Sequence, residues 1–170
     1  MQSLTENDWD IVRIPLDSAQ GLLPFINTIG SDYSPRFSPD GRWAAIASTE
    51  SGASEVYVRS FPDAAVKVQV SVSGGAAPVW SADGKRLFYL SGTAIIEARL
   101  EPTPAMRVLS RDTAFTGLPS GAAAFRQANF DVARDGARII LPVSQSDEYR
   151  LIIVPNWLTE YRERLAASRN

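Results

Sequence analysis

Neither cysteine nor histidine occurs anywhere in this chain of 170 residues. The first absence removes disulfides, thiol nucleophiles and thiolate metal sites. The second removes the imidazole base that serine and thiol hydrolases set beside their nucleophile. Zinc loses its usual ligands with both, and no local loop gathers the clustered oxygen ligands that calcium needs. Lysine is almost missing as well, Lys67 and Lys85 being the two that occur, so arginine carries the positive charge. The net charge of −2 leaves no electrostatic footprint for nucleic acid or an anionic membrane surface. No apolar run approaches the roughly 18 residues that a membrane-spanning helix requires. The opening residues, MQSLTENDWD, lack the basic-then-apolar form of a signal peptide. There is no Gly-rich, lysine-bearing phosphate loop, because Ser73-Gly74-Gly75 reads as a turn between strands. The expectation is a soluble, non-catalytic chain with no cofactor and no metal, sufficiently apolar at 45% hydrophobic residues to bury a core.

What the sequence does have is a repeat. SPRFSPDGRWAAIAS (34–48) returns as APVWSADGKRLFYLSG (77–92) and, more worn, as NFDVARDGARIILPV (129–143). Each copy places an Asp-Gly pair between two apolar runs, the mark of a β-hairpin. The pairs are Asp40-Gly41, Asp83-Gly84 and Asp135-Gly136, which gives a period of roughly 40 to 50 residues with only strand signals inside it. Such a period means propeller blades of four strands each. In the first blade (32–72) the strands fall at 35–38, 43–48, 56–61 and 67–72. In the second (76–110) they fall at 78–81, 86–90 and 94–100, with a weak outer strand near 106–110 and a small-residue loop over 111–125. WAAIA and LFYL are apolar at consecutive positions, as strands buried on both faces are. The opening stretch, DIVRIPL and GLLPFINT (10–28), aligns with the outer half of a blade. The last blade (127–155) has three strands, at 127–133, 137–143 and 151–155, and a helix over 156–167 takes the place of a fourth, with Asn156 as N-cap and Trp157, Leu158, Tyr161 and Leu165 on one face. The fold class is all-β: a propeller segment of about three to four blades of antiparallel strands, forming one partial domain over 1–170. Two whole blades with a half-blade and a three-stranded blade do not close a ring. The remaining blades are expected from a longer parent chain or from a homodimer.

These residues resemble the strand–turn–strand signature of TolB-like (WD-repeat-like) six-bladed β-propellers, over about 10–156, with the third copy departing at Ala133-Arg134 where Ser-Pro would stand. The order EVYVRSFP, then VSGGAAPVWSADGKRLFYLSG, then LIIVPNWLTEYRERL looks like the carboxy-terminal part of propellers fused to bacterial serine/threonine kinases or winged-helix regulators. The resemblance implies a sensor or interaction module that binds a protein, peptide or small ligand. It leaves open a periplasmic scaffold of the TolB type and the accessory propeller of a prolyl-oligopeptidase-like hydrolase. It points to a periplasmic or cell-surface setting more than a cytoplasmic one.

The aspartates of the three turns are read as turn formers, and Trp43, Trp80, Phe88 and Tyr89 as wedge-shaped core filling between blades. A ligand would lie at the mouth of the central channel, where the innermost strands begin. Asp32, Tyr33, Arg36, Gln127 and Asn129 offer polar groups there, and they also fit a hydrated channel with no specific ligand.

Overall fold

The computed structural model describes residues 9–17, 19, 21–102, 105–118, 130–145 and 148–154, those beyond 142 by their backbone. Among the described residues thirteen strands form four antiparallel sheets taken in chain order. β1 (Ile11–Arg13) and β2 (Leu23–Ile26) make a two-stranded sheet. β3 (Asp32–Phe37), β4 (Trp43–Ser48), β5 (Glu55–Ser60) and β6 (Lys67–Gln69) make the first four-stranded sheet. β7 (Ala76–Trp80), β8 (Arg86–Ser91), β9 (Ala94–Glu101) and β10 (Arg107–Thr116) make the second. β11 (Asp131–Val132), β12 (Ile139–Gln145) and β13 (Glu148–Val154) make a three-stranded sheet. Each sheet is a meander in which sequence neighbours pair. No helix occurs among the described residues, and the expected helix over 156–167 lies outside them.

Alternate side chains of the middle strands enter different cores, which is why their sequences are apolar without alternation. Ile46 and Tyr57 pack with Ile11 and Ile26 of the two-stranded sheet. Ala45, Val56 and Val58, offset by one position, pack with Trp80, Leu87, Tyr89 and Leu100 of the second blade. Phe88, Leu90 and Ile95, on the other face of that blade, pack with Phe130, Ile139 and Leu141 of the third. Face-to-face stacking of successive twisted meanders is the architecture of a partial β-propeller. Trp80, Phe88 and Tyr89 are buried between blades as wedge residues, and Trp43 is half-buried beside them.

The three Asp-Gly turns share one geometry. Gly41, Gly84 and Gly136 have φ of 70°, 68° and 66°. Gly41 N–H donates to Ser38 O at 2.9 Å, Gly84 to Ser81 O at 3.0 Å and Gly136 to Ala133 O at 2.7 Å. The aspartates themselves are not in the left-handed region, so these are four-residue loops with a single left-handed glycine and not two-residue hairpins. Each aspartate accepts from the backbone N–H two residues on: Asp40 from Arg42 at 3.1 Å, Asp83 from Lys85 at 3.0 Å, Asp135 from Ala137 at 2.9 Å. In the first two turns a serine hydroxyl, Ser38 or Ser81, also donates to the aspartate. Ala133 cannot, and Arg138 donates to Asp135 instead, at 2.9 Å.

Several boundaries differ from the sequence expectation, β3 beginning at Asp32 where 35 was expected and β7 at Ala76 where 78 was expected. β10 runs through Thr116, so 111–116 is strand where a loop was expected. Two bulges, between Val108 and Ser110 and between Thr113 and Phe115, shift its alternation and hide it from a period-two reading, while Ala114 stays buried. β6 ends at Gln69, because Val70 and Ser71 both turn their N–H to Val56 O and leave the ladder. β13 begins at Glu148, three residues before the expected 151.

A cleft at the turn end of the inner strands

β3, β7 and β11 are the innermost strands of three successive blades. In the first two, a bulge interrupts pairing between Tyr33 and Arg36 and between Ala76 and Val79. At the same step of each bulge sits a non-glycine residue in the left-handed region, Ser34 with φ of 54° and Ala77 with φ of 53°. An L-residue there carries about 1 kcal/mol of strain, held in place by the surrounding sheet. The bulge also reverses the side-chain parity of the residues beyond it. Asp32 pairs with Ser48 and Arg36 with Ala45, so they stand on opposite faces of the sheet, although four residues apart they would share a face in a regular strand.

Those two faces have different fates. Asp32 is 1% exposed. Its carboxylate accepts the Thr28 N–H at 3.0 Å and the Thr28 hydroxyl at 3.1 Å. Burial pushes its pKa above the ordinary carboxylate value, against the opposing bonds from Ser48 and Thr28. Tyr33 bonds Ser54 Oγ through its hydroxyl at 2.6 Å, and Ser54 donates to Gly75 O at 2.7 Å. Asp32 and Tyr33 therefore tie connections together at the entry end of β3. The expected solvated site at that end is not what this aspartate makes, because its carboxylate is buried and bonded internally. Gln127 and Asn129 lie outside the described residues.

Arg36 belongs to the other end. It lines an open cleft of about 490 Å³ together with Phe37, Pro39, Val79, Trp80, Ser81, Ala82, Phe130 and Asp131. Trp80 closes one wall and fixes it, its indole N–H donating to Arg36 O at 3.0 Å across the boundary between blades. Phe37 is 59% exposed, with its ring edge-on to Phe61 at 4.8 Å. Phe130 forms an apolar wall and is itself buried. The Arg36 guanidinium donates to the neighbouring Pro35 O at 2.9 Å, and no carboxylate among the described residues pairs with it. Arg42, Arg59, Arg86, Arg99, Arg107 and Arg138 all have an acidic partner. Asp131 accepts from the adjacent Val132 N–H at 2.8 Å. It shares a face with Ile140, which is 39% exposed, and so stands on the side of its blade away from the second one.

Of the five residues expected at a binding site three are described, and of these the structure brings Arg36 to this cleft and leaves Asp32 and Tyr33 at the entry end of β3. The signal for the residues that do line it was present in register. Arg36, Val79 and Asp131 each stand four residues ahead of their turn aspartate, and Phe37 and Trp80 stand three ahead.

No protein-family profile matches the chain, and no curated protein matches it. Solved structures do. The chain is similar to a structure described as TolB from Agrobacterium tumefaciens, at 16% identity and a TM-score of 0.50, over 86% of this chain and 50% of that one. It is similar to a protein from Desulfotomaculum acetoxidans at 15% identity and a TM-score of 0.53, over 80% and 45%. Hydrazine synthase from Kuenenia stuttgartiensis aligns at 9% identity and a TM-score of 0.50, over 80% and 48%. The class of the protein is thus a β-propeller segment. More particularly its fold is TolB-like, and the chain spans about half the length of each of these three structures.

Proposed function

We propose that this chain is a non-catalytic binding module, and that the cleft between β3, β7 and β11 receives a segment of a partner. The observation that supports this best is the cleft's composition. It sets a cation without a carboxylate partner among the described residues beside the Trp80 indole and the apolar side chains of Val79 and Phe130 at the convergence of three blades, the mixture by which binding clefts hold and orient a ligand. Among the described residues no three acidic side chains gather to hold a metal ion. With neither histidine nor cysteine in the sequence, the arrangement favours recognition over reaction. The resemblance of the closing segment to kinase-fused and regulator-fused propellers favours a sensor within a signalling protein.

Panning a random peptide-display library over the purified chain tests the reading. Ala82 is exposed at the rim of the cleft, so Ala82→Trp should obstruct it without disturbing a core. Peptides enriched on the native chain should lose binding to Ala82→Trp. Failure to enrich any peptide, or enrichment indifferent to Ala82→Trp, would sink the proposal.

A further inference from the structure

We infer that the segment recognised in this cleft is acidic, and that Arg36 selects it; the inference rests on the binding function proposed for the cleft. The carboxylates of the two neighbouring turns are already bonded. Asp40 is bonded by Ser38 and Arg42, and Asp83 by Ser81 and the Lys85 N–H. Arg86 is engaged with Glu97 and lies over the Phe88 ring at 5.6 Å. Asp131 stands on the face away from the second blade. Arg36 shares the face of Ala45, whose side chain packs toward the second blade, and so points into the gap between blades.

A guanidinium held on a rigid strand, with one N–H on Pro35 O, keeps further donors in a planar fork suited to a carboxylate. Beside it, Trp80 and Val79 give an apolar floor next to the charge. An extended peptide with a glutamate or aspartate facing Arg36 and an apolar side chain one or two positions away satisfies both. The bulge is what makes this selection possible, because without it residue 36 would lie on the face of Asp32 and turn away from the second blade.

Two readouts separate this inference from the one beneath it. The peptides whose binding Ala82→Trp abolishes should be enriched in acidic residues. A fluorescein-labelled synthetic peptide from that set should bind more tightly than its glutamate-to-glutamine counterpart in fluorescence anisotropy, and the difference should shrink as salt rises. Arg36→Glu should weaken the acidic peptide by about tenfold and abolish its advantage over the neutral one, while Arg36→Lys keeps a reduced preference. Because Arg36 is exposed and Trp80 bonds its backbone carbonyl, the substitution leaves the fold in place, which circular dichroism checks. Peptides that are blocked by Ala82→Trp yet show no acidic excess, or whose binding ignores Arg36→Glu, overturn the acidic assignment while leaving a binding cleft. Absence of any Ala82-sensitive peptide overturns both.

Discussion

Three glycines share one turn and one backbone conformation, so substituting each by alanine isolates what differs around them. At Gly41 an added Cβ meets nothing within 4 Å, and at Gly84 the nearest atom is Pro39 Cδ at 3.6 Å. At Gly136 it would collide with the Arg86 guanidinium, lying 2.7 Å from Cζ and 2.8 Å from Nη1. All three carry the same conformational strain, about 1 kcal/mol for an L-residue in the left-handed region. Gly136→Ala must in addition push Arg86 off its position. That guanidinium is 3.8 Å from Glu97, whose side chain is 7% exposed, and Arg99 at 3.6 Å is the other cation facing the same carboxylate. Removing the sole partner of a buried charge costs roughly 3 to 5 kcal/mol; with Arg99 remaining, about 1 to 2 is reasonable here. The expected totals are about 1 kcal/mol for Gly41→Ala and Gly84→Ala and about 2 to 3 for Gly136→Ala. In urea unfolding, with a slope near 2 kcal/mol/M, the midpoint falls by about 0.5 M in the first two and by about 1 to 1.5 M in the third. The decisive control is the double variant. In an Arg86→Ala background Gly136→Ala should cost no more than Gly41→Ala does in the native chain. Equal midpoints for the three single variants, or an unchanged Gly136 cost without Arg86, would refute the contact between the second blade and the third turn.

Ala133→Ser should restore to the third turn the hydroxyl-to-aspartate bond that Ser38 and Ser81 make in the others, raising stability by about 0.5 to 1 kcal/mol in urea unfolding; no gain would mean the Arg138 bond already replaces it in full. The pH dependence should show two opposing groups. Asp40 is held down to about 2 by Ser38 and Arg42, so its contribution is present above about 4 and lost as pH falls toward 2. Asp32 is raised, chiefly by burial, so the folded state binds its proton more tightly than the unfolded state and its contribution falls as pH rises past 3.8. Urea midpoints of Asp32→Asn should therefore gain on those of the native chain as pH rises from about 4 toward 7, and a constant difference would contradict the direction of that shift.

The blades were legible because their constraints are local and repeated. An Asp-Gly pair fixes a turn whatever surrounds it, and WAAIA and LFYL carry burial on both faces within five residues. The bulges were not legible, because Ser34 and Ala77 each precede a proline, which biases a residue toward extended backbone; the sheet overrides that bias and places both in the left-handed region. Asp32 misled for a related reason. A carboxylate at the start of a strand looks solvated until the fold shows that Thr28, from the preceding connection, supplies its donors. The extension of β10 was hidden by its own two bulges, which scramble the alternation that strand recognition depends on.

Those failures share a cause that bears on the cleft. A single extra residue in β3 determines which of its polar side chains is buried and bonded and which faces the cleft. In a regular strand Asp32, Ser34 and Arg36 would share one face, and Arg36 would be directed toward Ile46, Tyr57 and the two-stranded sheet. The bulge instead sends Arg36 to the face of Tyr33 and Ala47, toward the second blade. The same device in β7 turns Val79 with Phe88 toward the third blade and Trp80 with Leu87 back toward the first. The cleft's wall and its cation thus both depend on a backbone strain of about 1 kcal/mol per bulge, stored where the inner strands converge and held by the sheets behind them.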